Sequence, residues 1–539
     1  MPKQAIQQYY NRLDQYKRFG GTRNERSIRR AFANLLEEYC LPKHLVLVDE
    51  LHLQGSQRRP DGTVKDALQL TWGHWESKDS NDDLDAEIAR KFAAGYPKDN
   101  IIFEDSDTIV LIQRGAEVLR GNMQDADLLD RALTAFVEYE RPEIADFRAA
   151  IDQFRNDLPD ILNALREMIA EQAETNSQFQ HARAEFWALC QKSINPDITA
   201  FDIREMLIQH ILTAEIFDTV FGDSHFHREN TIAKELEQVV STFFTGAVRR
   251  NTLARIDNYY RAIKAEAARI ADHHEKQQFL KVVYENFYKA YNPKGADRLG
   301  IVYTPNEIVT FMVESTDYLL EHHFGRSLAD QDVDILDPAT GTGTFITAII
   351  EQIPPPYLEH KYTQEIHANE LAILPYYIAN LNIEYTYQQK MGRYEPFPNI
   401  VFVDTLDNLG FHIPEKQESL FGLSAENLAR IKRQNARKIS VIIGNPPYNA
   451  NQMNENENNN NREYFENPKK KTGGVDGRIK ETYVKQSSAQ KTKVYDMYAR
   501  FLRWASDRLD ENGIIAFITN RSYLDSRTFD GFRKCVAEE

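Results

Sequence analysis

The chain has 539 residues, a formal net charge of −16, 42% hydrophobic and 27% charged residues, and three cysteines. That length suits roughly three or four domains of ordinary globular composition. The acidic balance argues against indiscriminate coating of nucleic acid, though not against binding through local basic patches. No apolar run is long enough to span a bilayer, and Pro2–Gln8 lacks the apolar core of a signal peptide. Cys40, Cys190 and Cys535 are far apart and in no metal-ligand spacing, so they read as reduced thiols of a cytoplasmic protein.

Residues 1–120 read as a compact α/β unit. A helix is expected over Asn24–Cys40, with Ile28, Phe32, Leu35 and Leu36 on one face. Strand-like runs follow at Leu45–Val48, Ala67–Thr71, His74–Ser77 and Thr108–Gln113. Asp66 comes shortly before Glu76-Ser77-Lys78, a Glu-x-Lys on an expected strand. On neighbouring strands, Asp66 and Glu76 can share a Mg²⁺ ion, with Lys78 beside the attacking water. Pro60-Asp61 offers an alternative first carboxylate. Residues 121–295 read as helical. Ile151, Phe154, Leu158, Ile161, Leu162, Leu165 and Ile169 recur at helical spacing and are expected in the core.

Residues 296–539 change character. Strands are expected at Asp334–Leu336, Glu365–Asn369, Ile400–Val403, Val441–Ile443 and Gly513–Thr519, with helices between most of them. That alternation predicts a parallel, doubly wound sheet. Asp337-Pro338-Ala339-Thr340-Gly341-Thr342-Gly343-Thr344-Phe345 follows the first strand, and Gly341 and Gly343 let the backbone approach a ligand closely. Glu370 ends the second strand, where a carboxylate can bind ribose hydroxyls, and Asp404 ends the third. Asn445-Pro446-Pro447-Tyr448 ends the fourth. The two prolines cannot continue a strand ladder, so the chain turns rigidly there. An amide beside an aromatic ring suits a flipped base: amide and proline oxygens accept from an exocyclic amine, and the ring stacks. Asn449–Asn461 is asparagine-rich and is expected to be a mobile loop. Lys469, Lys470, Lys471, Arg478, Lys480, Lys485, Lys491 and Lys493 follow and suit phosphate contacts. Arg18, Arg23, Arg26, Arg29 and Arg30 offer the same to the first unit.

Over residues 298–525 the sequence resembles the N6-adenine DNA methyltransferases in their gamma arrangement. The resemblance is carried by Tyr303-Thr304-Pro305, Asp337 through Phe345, Glu370, Asp404 and Asn445-Pro446-Pro447-Tyr448. It implies a Rossmann-like domain using S-adenosylmethionine. Tyr303, Thr304, Pro305, Asp337, Ala339, Gly341, Gly343, Phe345 and Glu370 would form the cofactor site, with Asp404 near the cofactor adenine. Asn445 and the Pro446 carbonyl would bind the target N6, and Tyr448 would stack on the base.

The first unit resembles PD-(D/E)xK nucleases, which implies a Mg²⁺ site among Asp61, Asp66 and Glu76. Glu25 stands on the preceding helix, where related nucleases place a further acid. Nuclease, helical spacer and methyltransferase in one multidomain α/β chain resemble Type IIG or Type ISP restriction-modification enzymes. Arg478–Asp507 also resembles the latter, which carry a helicase that this chain lacks. That departure favours the Type IIG-like reading. The expected activity is methylation of adenine in double-stranded DNA and cleavage of unmodified DNA. A methyltransferase with an inactive nuclease, or a non-catalytic scaffold binding DNA or cofactor, are the alternatives. The family's final sheet hairpin and target-recognition domain do not fit after Gly513–Thr519, so the expectation is a fragment, a truncated product or part of a longer chain.

Overall fold

The computed structural model describes residues 2–20, 25–49, 59–66, 70–78, 83–193, 198–220, 230–268, 304–408, 424–447, 474–488 and 492–538, with isolated residues between these stretches. The chain divides into two compact units. One comprises Met1–Asn156 with Asn258–Asn286, and the other Asp157–Asp257 with Phe287–Glu539.

The first unit is built on a six-stranded sheet paired in sequence order. Helices α1 (Pro2–Gly20) and α2 (Glu25–Cys40) lead into β1 (Val46–Asp49), β2 (Gly62–Lys65) and β3 (Thr71–Ser77). Helix α3 (Leu84–Ala93) crosses to β4 (Asn100–Glu104), which lies parallel to β3. An antiparallel pair, β5 (Thr108–Gln113) and β6 (Ala116–Asn122), completes the sheet. Phe32, Leu35, Leu36 and Tyr39 form the buried stripe of α2. The Phe32 ring lies 5.3 Å from that of Trp75 on β3. On the opposite face, Leu84 and Ile88 of α3 pack on Ile101, Phe103, Val110 and Ile112. Successive strand residues alternate between the faces, so Trp75 enters the α2 side and Glu76 the α3 side.

One feature lies outside the described residues and one differs from the sequence reading. Of the strand expected at Ala67–Thr71, residues 67–69 lie outside the described residues and Thr71 opens β3; Asp66 N–H donates to Leu70 O at 3.1 Å and Leu70 N–H to Asp66 Oδ1 at 2.9 Å. The unit also runs past residue 120. Helix α4 (Ala126–Glu138) is capped by Asp125, and its Leu128 packs on Gly121 and its Phe136 on Gly73. Helix α5 (Pro142–Thr175) follows, and all seven apolar residues of its expected stripe are buried.

The second unit opens with the rest of α5, then α6 (Ser177–Ser193), α7 (Ala200–Val220) and α8 (Thr231–Ser241). After α9 (Asn306–Phe324) strands and helices alternate: β7 (Asp334–Asp337), α10 (Thr344–Gln352), β8 (Ile366–Glu370), α11 (Ile373–Met391), β9 (Ile400–Phe402), α12 (Ser424–Asn435), β10 (Ile439–Gly444), α13 (Met497–Arg508) and β11 (Leu509–Phe517). The strands are parallel in the order β11-β10-β7-β8-β9. Every residue of β7 and β10 is buried, as expected of a parallel sheet covered on both faces. The chain moves outward from β7 to β8 and β9, then returns to β10 on the other side of β7. The order therefore reverses between β7 and β10, and such a switch point opens a crevice at the carboxyl ends of its strands. Helix α11 is buried over most of its circumference, so it must be enclosed by other elements; α7 and α10 both pack against it. Of Asn449–Asn461, the described residues Met453–Asn454 and Asn459–Asn460 pair as a two-rung ladder.

Candidate functional site

Asp337 ends β7 and Gly444 ends β10, on either side of the switch point. The two strand ends are in close contact: a Cβ on Gly444 would stand 2.6 Å from Asp337 Oδ1. Asp337 is fully buried and accepts from Ala339 N–H and Thr340 Oγ1, both at 3.1 Å. Burial pushes its carboxyl up to about 7 against those two hydrogen bonds, with Glu370 adding to the rise. The loop then passes through Gly341 and Gly343, both with positive φ (+56° and +86°), a region L side chains rarely adopt. A Cβ on Gly341 would meet nothing within 4 Å, so this side of the loop is an open ledge. Phe345 on α10 is buried beneath it.

Glu370 closes the next side. It accepts from Gly341 N–H at 2.9 Å and from the Leu371 and Ala372 N–H groups at 2.8 and 2.7 Å. Burial raises its carboxyl to about 7 despite these donors. Asp404, just beyond β9, is buried and accepts from Leu406 N–H at 3.0 Å. After β10, Asn445 Nδ2 donates to Thr304 Oγ1 at 3.0 Å, just before Pro305 at the start of α9. Asn445 Oδ1 is buried and has no hydrogen-bond partner among the described residues. Pro446 is buried and Pro447 half-buried. Tyr303 and Tyr448 lie outside the described residues.

Three side chains absent from the sequence reading hold this crevice. Thr405 Oγ1 donates to Pro338 O at 2.6 Å, and Asn369 Nδ2 donates to Thr405 Oγ1 at 3.1 Å. Asn382 Nδ2 donates to Thr342 O at 2.9 Å. Nothing in the local sequence singles them out: Asn382 stands in a helix that also carries Asn380, Glu384 and Thr386.

In the first unit the strand register settles which acid faces Glu76. Gly62 pairs with Trp75 and Lys65 with Thr71, so Asp61 falls beside Glu76 at one end of the β2–β3 hairpin and Asp66 at the other. Five rungs separate Asp66 from Glu76, roughly 17 Å at strand rise, too far for the shared ion considered for that pair. Asp66 is instead buried against Arg148, at 2.9 Å, and also accepts from Leu70 N–H. Asp61 Oδ2 accepts from Ser77 N–H at 2.8 Å, and Asp61 N–H donates to Glu76 Oε2 at 3.3 Å. Desolvation, then the Glu76 charge, raise the Asp61 carboxyl against Ser77, Arg29 and Lys78. Lys78 Nζ lies 2.9 Å from Glu76 Oε1, and Lys91 of α3, unforeseen in the sequence, reaches the same oxygen. Arg29 pairs with Asp61 at 3.1 Å, which occupies one of the arginines expected to face phosphates. The Glu25 side chain lies outside the described residues. Among the described residues no three or more His, Cys, Asp or Glu side chains are gathered to hold a metal.

The basic run after Asn445 is only partly placed. Arg478 is held by Asp507 at 2.9 and 2.8 Å, whereas Lys480 and Lys485 are exposed. Lys469, Lys470, Lys471 and Lys491, the Lys493 side chain, Arg23 and the Arg26 side chain lie outside the described residues. No helix among the described residues is long and apolar enough to cross a membrane.

Comparison with known proteins agrees with this layout in the second unit. Residues 151–275 match the coupler domain of Type ISP restriction-modification enzymes, and residues 275–475 match the N-6 DNA methylase family. Among solved structures, a cryo-electron-microscopy structure of a DrdV–DNA complex is 55% identical with a TM-score of 0.70, covering 100% of this chain and 52% of that one. The ATP-dependent Type ISP restriction-modification enzyme LlaBIII bound to DNA is 32% identical with a TM-score of 0.62, covering 77% of this chain and 28% of that one. A nuclease-deletion mutant of the Type ISP enzyme LlaGI, in complex with a DNA substrate mimic, is 27% identical with a TM-score of 0.62 and covers 86% and 41%. No curated protein matches the chain. The chain thus spans about half the length of the DrdV chain. It carries a coupler domain of the Type ISP restriction-modification kind joined to an N-6 DNA methylase domain.

Proposed function

We propose that this protein methylates adenine N6 in double-stranded DNA with S-adenosylmethionine, and cleaves unmodified DNA with Mg²⁺ at a separate site in its first unit. The observation that carries the methylation reading is Asn445. Its amide is anchored through Nδ2 on Thr304, which leaves a buried Oδ1 unpartnered at the carboxyl end of β10. An unmet buried acceptor is costly unless a ligand donor completes it. An exocyclic amine of a flipped base supplies such a donor.

The residues around the loop fit S-adenosylmethionine. The open side of Gly341 leaves room for a ligand against the backbone, and Glu370 offers carboxylate oxygens to ribose hydroxyls. When bound, this cofactor supplies an electrophilic methyl group on a sulfonium. Asn445 Oδ1 would accept one N–H of the target amine and Pro446 O the other. These bonds draw the amine lone pair out of the ring and favour a tetrahedral nitrogen, and fixed placement supplies much of the remaining rate gain. A general base of high pKa is not needed, because the proton becomes acidic only as the new bond forms.

For cleavage, Asp61 and Glu76 offer two adjacent carboxylates. Mg²⁺ commonly takes one or two, with water filling its other positions. Lys78, beside Glu76, would orient or stabilise a nucleophilic water. The two ammonium groups on one Glu76 oxygen favour a second reading, a nuclease fold silenced by its own lysines. Assaying the full-length protein on unmodified duplex DNA, with each cofactor added separately, tests both. Mg²⁺-dependent cleavage that Glu76→Gln abolishes excludes the silent fold, and adenine methylation that survives Asn445→Ala refutes the methyltransferase site.

A further inference from the structure

Helix α11 carries polar side chains on two faces, and the chemistry proposed above uses neither. On one face Tyr377 and Asn380, three residues apart, meet the coupler. Tyr377 Oη lies 3.0 Å from Nδ1 of His210 on α7, whose Nε2 lies 3.0 Å from Glu237 Oε2 on α8. Asn380 Oδ1 accepts from Asn230 Nδ2 at 3.0 Å, and Asn230 caps α8 through Ala233 N–H at 2.9 Å. His210, Tyr377, Asn230 and Asn380 are all at most 2% exposed. On the other face Ala379, Asn382 and Ile383, at positions i, i+3 and i+4, meet the glycine loop. Asn382 Nδ2 donates to Thr342 O, and a Cβ on Gly343 would stand 3.2 Å from Ala379 Cα.

Buried polar pairs are costly to misalign, so they select one rotation and one register for the elements they join. The bond to Thr342 matters for a specific reason. Thr342 lies between two glycines in the left-handed region, where the backbone has least to hold it. The Asn382 amide fixes where the Thr342 carbonyl points and, with it, how the N–H groups of the loop face the ledge.

We infer that Asn382 is a positioning residue for the cofactor loop, and that the coupler, through Asn230 and His210, holds α11 in the rotation Asn382 needs. The inference rests on the reading of that loop as the S-adenosylmethionine site. It gives the coupler a part in cofactor binding as well as in joining domains.

The test is S-adenosylmethionine titration by calorimetry on the full-length protein, with kcat measured at saturating cofactor and DNA. Asn382→Asp keeps the shape of the side chain but cannot donate to a carbonyl. It and Asn382→Ala should each weaken binding about tenfold, which is about 1.4 kcal/mol, while kcat at saturation stays within twofold. Asn230→Ser keeps a cap on α8 but is too short to reach Asn380. It should weaken binding about threefold in the wild-type background and have no further effect alongside Asn382→Ala. Wild-type affinity in Asn382→Asp overturns the positioning role. An Asn230→Ser effect that is absent, or equal in both backgrounds, overturns the coupler's part. A wild-type protein that does not bind S-adenosylmethionine refutes the cofactor reading and the inference with it, which sets that result apart from the other two.

Discussion

Replacing Gly341 and Gly343 by alanine, one at a time, separates backbone strain from close packing in the loop after β7. Both glycines have a left-handed backbone, and an L side chain there costs about 1–2 kcal/mol. At Gly341 the new methyl meets nothing within 4 Å, so strain is the whole cost to the ligand-free fold. At Gly343 it stands 3.2 Å from Ala379 Cα, 3.4 Å from Ala379 O and 3.4 Å from Ile383 Cγ1. Helix α11 also packs against α7 and cannot simply withdraw, so overpacking adds roughly 1–3 kcal/mol. Thermal melts should therefore place Gly343→Ala roughly 3 °C below Gly341→Ala. Cofactor titration should show a different pattern: the methyl on Gly341 enters the open ledge, so this variant loses S-adenosylmethionine binding while keeping most of its stability. Equal melting losses for the two variants would rule out the packing difference, and wild-type cofactor affinity in Gly341→Ala would rule out the open ledge as the cofactor's seat.

Further outcomes follow from the same geometry. Burial moves the Glu370 carboxyl from 4.5 to about 7. The folded chain then holds that proton more tightly than the unfolded chain. This contribution to ligand-free stability is complete below about pH 4.5 and lost as pH rises through about 7. Binding through the ionised carboxylate should tighten over the same window, and calorimetry across it should show a shallower pH dependence in Glu370→Gln; an unchanged slope counts against Glu370 as the ribose acceptor. Thr304→Val removes the oxygen that holds Asn445 Nδ2 and should lower the methylation kcat at least about tenfold through misplacement of the amide; an unaltered kcat would show that Thr304 does not orient it. In the first unit, Asp61→Asn should abolish Mg²⁺-dependent cleavage, whereas Asp66→Asn should leave cleavage intact and cost about 1–2 kcal/mol in stability as the Arg148 pair is lost. The reverse pattern in cleavage assays and melts would restore Asp66 as the metal ligand.

Much of the second unit is legible in the sequence because its central strands β7 and β10 are short and fully buried and its strand ends are punctuated by chemistry. Asp337, Glu370 and Asp404 each fall at or just after a strand end, and the structure puts all five expected strands in one parallel sheet. The first unit is harder to read. β2 is Gly-Thr-Val-Lys, too polar to stand out, and only its pairing with β1 and β3 makes it a strand. That register, not the local sequence, decides between Asp61 and Asp66. Lys91 escapes notice because it sits on a helix fifteen residues beyond Glu76 and is brought to it by the β3–α3–β4 crossover. Asn382 and Thr405 are missed for a related reason: each acts on a backbone carbonyl of a distant loop, and carbonyls leave no mark in a sequence.

The role proposed for Asn445 is to receive a target adenine. The direct measurement is transfer of a labelled methyl group from S-adenosylmethionine to unmodified duplex DNA by the full-length protein, with the modified base identified after digestion. The wild type should yield N6-methyladenine and Asn445→Ala none, with its cofactor affinity unchanged. Label on cytosine, or N6-methyladenine still formed at the wild-type rate by Asn445→Ala, would contradict it.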